Sequence, residues 1–128
     1  MHQEIKAKWL EALRSGRYEQ GKNELCFDNQ FCCLGVLCDI VDPQGWAEDD
    51  RGDPRTRLHH EERTVPSLEL LDIVGISEDL TVPVEPEPVG DDGEPGLGYT
   101  FVLGRLAVMN DHRGKSFEEI ADWIEEKL

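Results

Sequence analysis

The sequence predicts an α+β fold: a small single domain over residues 1–128, with about four helices around a short antiparallel β-hairpin and long acidic loops. Three observations carry that expectation. Apolar residues recur at helical spacing in four main stretches, one short stretch alternates about an Asp-Asn pair, and two polar segments rich in charge, proline or glycine interrupt the periodicity. A chain of 128 residues fits one domain. Its 38% strongly hydrophobic residues, with 12 glycines added, reach a normal globular share, so a packed core is expected.

In residues 4–15, Ile5, Trp9, Ala12 and Leu13 fall at i, i+4, i+7 and i+8, the stripe of an amphipathic helix, and Gly16 supplies its C′ position. Residues 18–23 read as a polar turn. Leu25 and Phe27 then precede Asp28-Asn29, with Phe31 and Cys33 beyond, the alternation and turn pair of a hairpin. Residues 33–41 (CLGVLCDIV) are apolar nearly all round, which predicts a buried central helix whose Gly35 permits close packing; Asp42-Pro43 ends it. Residues 42–64 are charged and poor in aliphatics and read as a long loop. A short helix follows, with Pro66 in its first turn, Leu68, Leu71 and Ile73/Val74 as its apolar face and Gly75 as its end. Thr100 is placed to cap the next helix, whose stripe is Leu103, Leu106, Ala107 and Asn110 and which Gly114 breaks. Ser116 and Glu119 form a capping box that opens the last helix, with Phe117, Ile120, Ala121, Ile124 and Leu128 facing the core.

The net charge of −15 is unevenly spread. Residues 64–104 hold nine acids and no base, and within them residues 82–98 carry four prolines and four glycines, so that segment is expected to be an exposed acidic loop or hairpin tip. A phosphate backbone or an anionic membrane surface is repelled by such a mean field, and direct nucleic-acid or membrane binding is not expected. No apolar run approaches the length of a membrane span, and the N-terminus lacks a signal-peptide pattern. The expected location is therefore the cytoplasm.

Cys26, Cys32, Cys33 and Cys38 lack the tight paired spacing of a zinc site, and neighbouring cysteines of a strand point to opposite faces, so they are read as small core hydrophobes. His2, His59, His60 and His112 are read as solvated. The acidic clusters at 49–53 and 91–94 do not follow calcium-loop spacing. No metal and no cofactor is expected, and no phosphate-loop, dinucleotide or nucleophile-elbow signature is present. What remains is an anion or nucleotide pocket. Arg14, Arg17 and Lys22 bracket Tyr18 and Gln20, while Arg105, Arg113 and Lys115 bracket Asn110-Asp111. Phosphates call for Arg or Lys, and a base or ribose for an aromatic platform, amides and a carboxylate.

Three blocks also carry a resemblance: KWLEALRSGRYEQG at the start, FCCLGVLCD in the centre and LAVMNDHRGKSFEEIADWIEEKL at the end. Together they resemble a family of small phage-encoded proteins with a W-x3-L-R-S-G-x-Y-x-Q-G opening, an F-C-C-L-G-V-L-C-D centre and an L-N-D-x-G-x-S-F-x-E-I-A closing block. Met109 stands where that pattern has Leu, and His112-Arg113 lengthens the turn before Gly114. Small phage proteins of this size include sponges that sequester nucleotide immune signals such as cyclic ADP-ribose or cyclic dinucleotides. The resemblance thus implies an anti-defence protein that binds such a signal without cleaving it, as a homo-oligomer in the infected host cell. In that reading Tyr18, Phe31 or Trp46 stacks a base, Arg17 or Arg105 pairs with phosphate, and Gln20, Asn110 or Asp111 meets the ribose. The alternatives are an acidic decoy that inhibits a host nucleic-acid enzyme through residues 78–94, and a small signal-cleaving enzyme, thiol-dependent in one version.

Overall fold

A computed structural model describes residues 1–49, 52–77, 79–83 and 99–128. Among them run five α-helices: α1 (Gln3–Arg14), α2 (Cys33–Val41), α3 (Leu68–Val74), α4 (Val102–Asp111) and α5 (Phe117–Lys127). The strands are β1 (Glu19–Gln20), β2 (Cys26–Phe27), β3 (Gln30–Phe31), β4 (Trp46–Glu48), β5 (Thr56–His59), β6 (Thr81–Pro83) and β7 (Tyr99–Phe101). The class is α+β, with the short helix α3 bringing the expected count of about four to five, and with more sheet: β1 to β5 form a mixed sheet in the order β1-β3-β2-β5-β4, with β1 parallel to β3.

The central hairpin is where the turn pair puts it. Asp28 and Asn29 have φ of 53° and 61°, the left-handed pair that a two-residue turn between right-twisting strands requires, and Asp and Asn are the side chains that best tolerate it. Cys26 pairs with Phe31 across it and Phe27 with Gln30. Residues 18–23 are more than a turn, since Gln20 lies beside Phe31 in the parallel register.

The segment 42–64, expected to be a loop, supplies a 3-10 turn at Pro43–Gly45 and the strands β4 and β5. In β5 the two buried side chains are Thr56 and His59, polar and three positions apart, so burial does not follow a two-residue alternation and the segment carries no strand-like hydropathy signal. Of the segment 82–98, expected to be a loop, Val82 and Pro83 belong to β6, which pairs antiparallel with β7 from Thr81 with Phe101 to Pro83 with Tyr99. Residues 84–98, with Glu85, Glu87, Asp91 and Asp92, lie outside the described residues.

Helix α2 is the core's axis. Cys33 through Cys38 are all buried, and α1, α3 and α4 pack around it. A Cβ on Gly35 would lie 1.9 Å from the Leu25 carbonyl oxygen, so only glycine allows the helix to cross the chain leading into β2. Cys32 and Cys33 start this helix instead of belonging to a strand: Cys32 is the N-cap, its sulfur accepting from the Gly35 amide. The Trp9 indole donates to the Cys33 carbonyl at 3.0 Å, which fastens α1 to the same point. Arg14 bridges Asp122 at 2.7 Å and Glu125 at 2.9 Å on α5.

Two helix details depart from expectation and a third agrees with it. Helix α3 is capped by Ser67, one residue after Pro66, and buries Leu70, Leu71 and Val74, while Leu68 and Ile73 face outward. Helix α4 follows β7 directly with Phe101, whose side chain has no acceptor, at its N-cap in place of Thr100, and the Val102 amide donates to the Leu80 carbonyl at 2.9 Å. At α5 the Ser116–Glu119 capping box is complete. No helix among the described residues is long and apolar enough to cross a membrane.

Candidate functional site

The two segments expected to form a pocket do meet, on the β1 side of the sheet. The Gln20 amide donates to the Asn110 side-chain oxygen at 2.9 Å and to the Lys115 carbonyl at 2.7 Å. Asn110, wholly buried, donates to the Gly21 carbonyl at 2.8 Å and to Asp111 at 2.9 Å, and its oxygen also accepts from the Cys33 amide at 3.3 Å. Asp111 accepts from the Asn23 amide at 2.9 Å. Gln20, Asn110 and Asp111 therefore use hydrogen-bonding capacity on one another and on backbone, clasping the end of α4 to the 20–23 segment and to the start of α2. Burying polar groups is tolerable only when they are satisfied in this way.

The three candidate aromatics also converge. Tyr18 meets Phe31 edge to face with centroids 5.1 Å apart, and Phe31 meets Trp46 in the same manner at 5.7 Å. Their polar tips share one acceptor that the sequence reading overlooked, Asp39 on the last turn of α2. The Tyr18 hydroxyl donates to one of its oxygens at 2.5 Å and the Trp46 indole to the other at 3.0 Å. Burial, then the Asp39 bond and charge, push the Tyr18 phenol up to about 12, with Arg17 opposing weakly. Arg17 is exposed, and its side chain donates to Ser15. Arg105 is half-buried on α4.

Beside these clusters lies a cleft of about 340 Å³ lined by Gln20, Gly21, Lys22, Phe27 and Gln30. It falls within the size range of small-molecule sites. Lys22 and Gln30 make no side-chain hydrogen bond or ion pair to another described residue. The Arg55 guanidinium sits 4.9 Å from the Phe27 ring centroid, an arrangement that favours a cation over the ring face. Lys22 was one of the cations expected beside Tyr18 and Gln20; Phe27 and Gln30 were not among the expected ligand-binding residues. Their signal was their position on either side of the Asp28-Asn29 turn and next to Gln20.

The thiols offer no nucleophile. All four are buried and free, and burial raises each of them, Cys32 to about 11 and Cys33 and Cys38 further. A thiol held above neutrality stays protonated and inert. The aromatic row continues past Trp46 to His59, at 4.9 Å, and His60, at 4.7 Å. Of these two imidazoles, expected to be solvated, His59 is completely buried, because β5 turns it inward against Trp46.

The family model of a domain of unknown function, DUF8296, matches residues 1–128. No curated protein and no solved structure matches the chain.

Proposed function

The chain belongs to the DUF8296 family, and from that premise we propose that it binds a small nucleotide-derived ligand, such as a cyclic dinucleotide or cyclic ADP-ribose, without cleaving it. The observation that carries this reading is the cleft at β1, β2 and β3. There a phenylalanine face, two primary amides and a lysine stand within one concavity. Phe27 gives a base an aromatic contact, the Gln30 amide and the Gln20 side-chain oxygen read its edge or the ribose, and Lys22 meets a phosphate. The Tyr18–Phe31–Trp46 group and the Asn110 clasp hold the walls of this cleft in place, so the expected ligand residues act mainly as its frame. Protonated, buried thiols support binding over thiol-dependent cleavage. The expected setting is sequestration of a bacterial immune signal by a phage protein in the host cytoplasm.

The experiment mixes the purified protein with cyclic ADP-ribose isomers and cyclic dinucleotides, filters it, denatures the retained fraction and analyses both fractions by mass spectrometry. Intact nucleotide recovered only after denaturation is the expected result. Phe27→Ala and Lys22→Ala should each weaken binding about tenfold, in line with roughly 1–3 kcal/mol for a stacked base. An untouched panel overturns the binding reading, and a cleaved product overturns the claim that no bond is broken.

A further inference from the structure

We propose that Asp42, His59 and His60 form a site for a divalent transition-metal cation of the zinc class. This site is separate from the cleft and does not depend on the nucleotide reading. Among the described residues these three side chains bring their potential ligand atoms within 4.8 Å of one another. The His60 Nε2–H donates to the Asp42 carboxylate at 2.6 Å, and the His59 Nε2–H donates to the Asp42 carbonyl at 2.8 Å. Both ring nitrogens that carry protons therefore face the same point.

Two features show that this point is kept open. Gly45 stands over it: a Cβ there would lie 2.6 Å from His59 Nε2 and 2.7 Å from His60 Nε2, so any other residue would fill the space between the rings. The loop that delivers His60 is also costly. His60 and Glu61 occupy a two-residue turn, closed by bonds of 2.9 Å between His59 and Glu62, with φ of 48° and 69°. The hairpin at Asp28-Asn29 uses residue types suited to that conformation, whereas Glu61 is not one of them.

The donor set specifies the cation. Two imidazole nitrogens with one carboxylate oxygen suit zinc, nickel or cobalt better than calcium or magnesium, which take oxygen. On binding, each neutral ring turns its Nε2 lone pair to the ion and carries its proton on Nδ1 instead, so the rings lose no net proton, and the Asp42 carboxylate supplies the anionic oxygen. His60 and Asp42 move apart from their direct contact to reach bonding distances of about 2.0–2.2 Å around the ion. Three protein ligands leave a fourth position for water or a ligand. Half-exposed His60 and Asp42 make the site accessible, while buried His59, fixed by Trp46, orients it.

The test is equilibrium dialysis with Zn²⁺ and visible absorption with Co²⁺ on the full chain, repeated on His60→Ala and Asp42→Asn. Both variants change partly exposed side chains, and an unchanged Tm in chelator verifies that each is folded. Expected are one Zn²⁺ per chain, cobalt bands characteristic of low coordination number, a Tm raised by zinc, and at least tenfold weaker binding in each variant. No saturable binding overturns the proposal. So does stoichiometric binding that survives in both variants, which would place the ion at other residues.

Discussion

The Tyr18 hydroxyl donates to the Asp39 carboxylate at 2.5 Å, joining the segment after α1 to the last turn of α2. The phenol is raised to about 12, by burial first and by Asp39 second. A folded pKa above the unfolded value of about 10 means that this contribution to stability is complete below about pH 10 and disappears as pH rises toward the folded value. Wild type should therefore lose more of its urea midpoint between about pH 9 and about pH 11.5 than Tyr18→Phe does. Equal losses in the two proteins would contradict the linkage.

At Gly35 the contact with Leu25 is to backbone, which cannot rotate away as a side chain tip would. Gly35→Ala should destabilise by about 3 kcal/mol or more, since either α2 or the entry to β2 must shift. Urea denaturation measures this. A loss under about 1 kcal/mol would show that the crossing is looser than described.

Asn110 is a hub, and its removal leaves the Gly21 carbonyl and the Cys33 amide without their partner. Asn110→Ala should cost about 2–4 kcal/mol, and Gln20→Ala about 1 kcal/mol. In a double-mutant cycle the two should couple by about 1 kcal/mol, whereas strict additivity would mean that their bond contributes nothing.

The four thiols should be silent in the folded protein. At about pH 8 a disulfide reagent should release well under one equivalent from the native chain and all four after unfolding, because burial both blocks access and disfavours the thiolate. Rapid native reaction of a single cysteine would reopen a thiol chemistry.

Where the fold was legible, the signal was local. The 33–41 helix, the Asp28-Asn29 turn and the Ser116–Glu119 box each depend on residues within a few positions of one another, and each is found in the structure. Strands β1, β4 and β5 were not legible, because they are short and their inward residues include Thr56 and His59 in place of aliphatics. Tyr18, Gln20, Phe31, Trp46, Asn110 and Asp111 could be chosen as polar or aromatic residues without an obvious helical excuse. Their mutual use, and the central place of Asp39, could not be read from spacing, since the Gln20–Asn110 bond spans 90 positions of the chain.

Amino-acid order alone accounts for the Ser116–Glu119 capping box, the tight turn, most of the apolar stripes and the acidity of residues 64–104, because these follow from neighbours along the backbone and from composition. Which polar side chains are consumed by the fold and which stay available to a ligand is a matter of three-dimensional packing. Asn110 and His59 carry the same groups as a solvated loop residue, yet their burial decides the partner each must find. Lys22 and Gln30 are left over at the cleft, and the imidazoles of His59 and His60 meet at Asp42, only because distant strands and helix ends are brought into contact by the burial of α2.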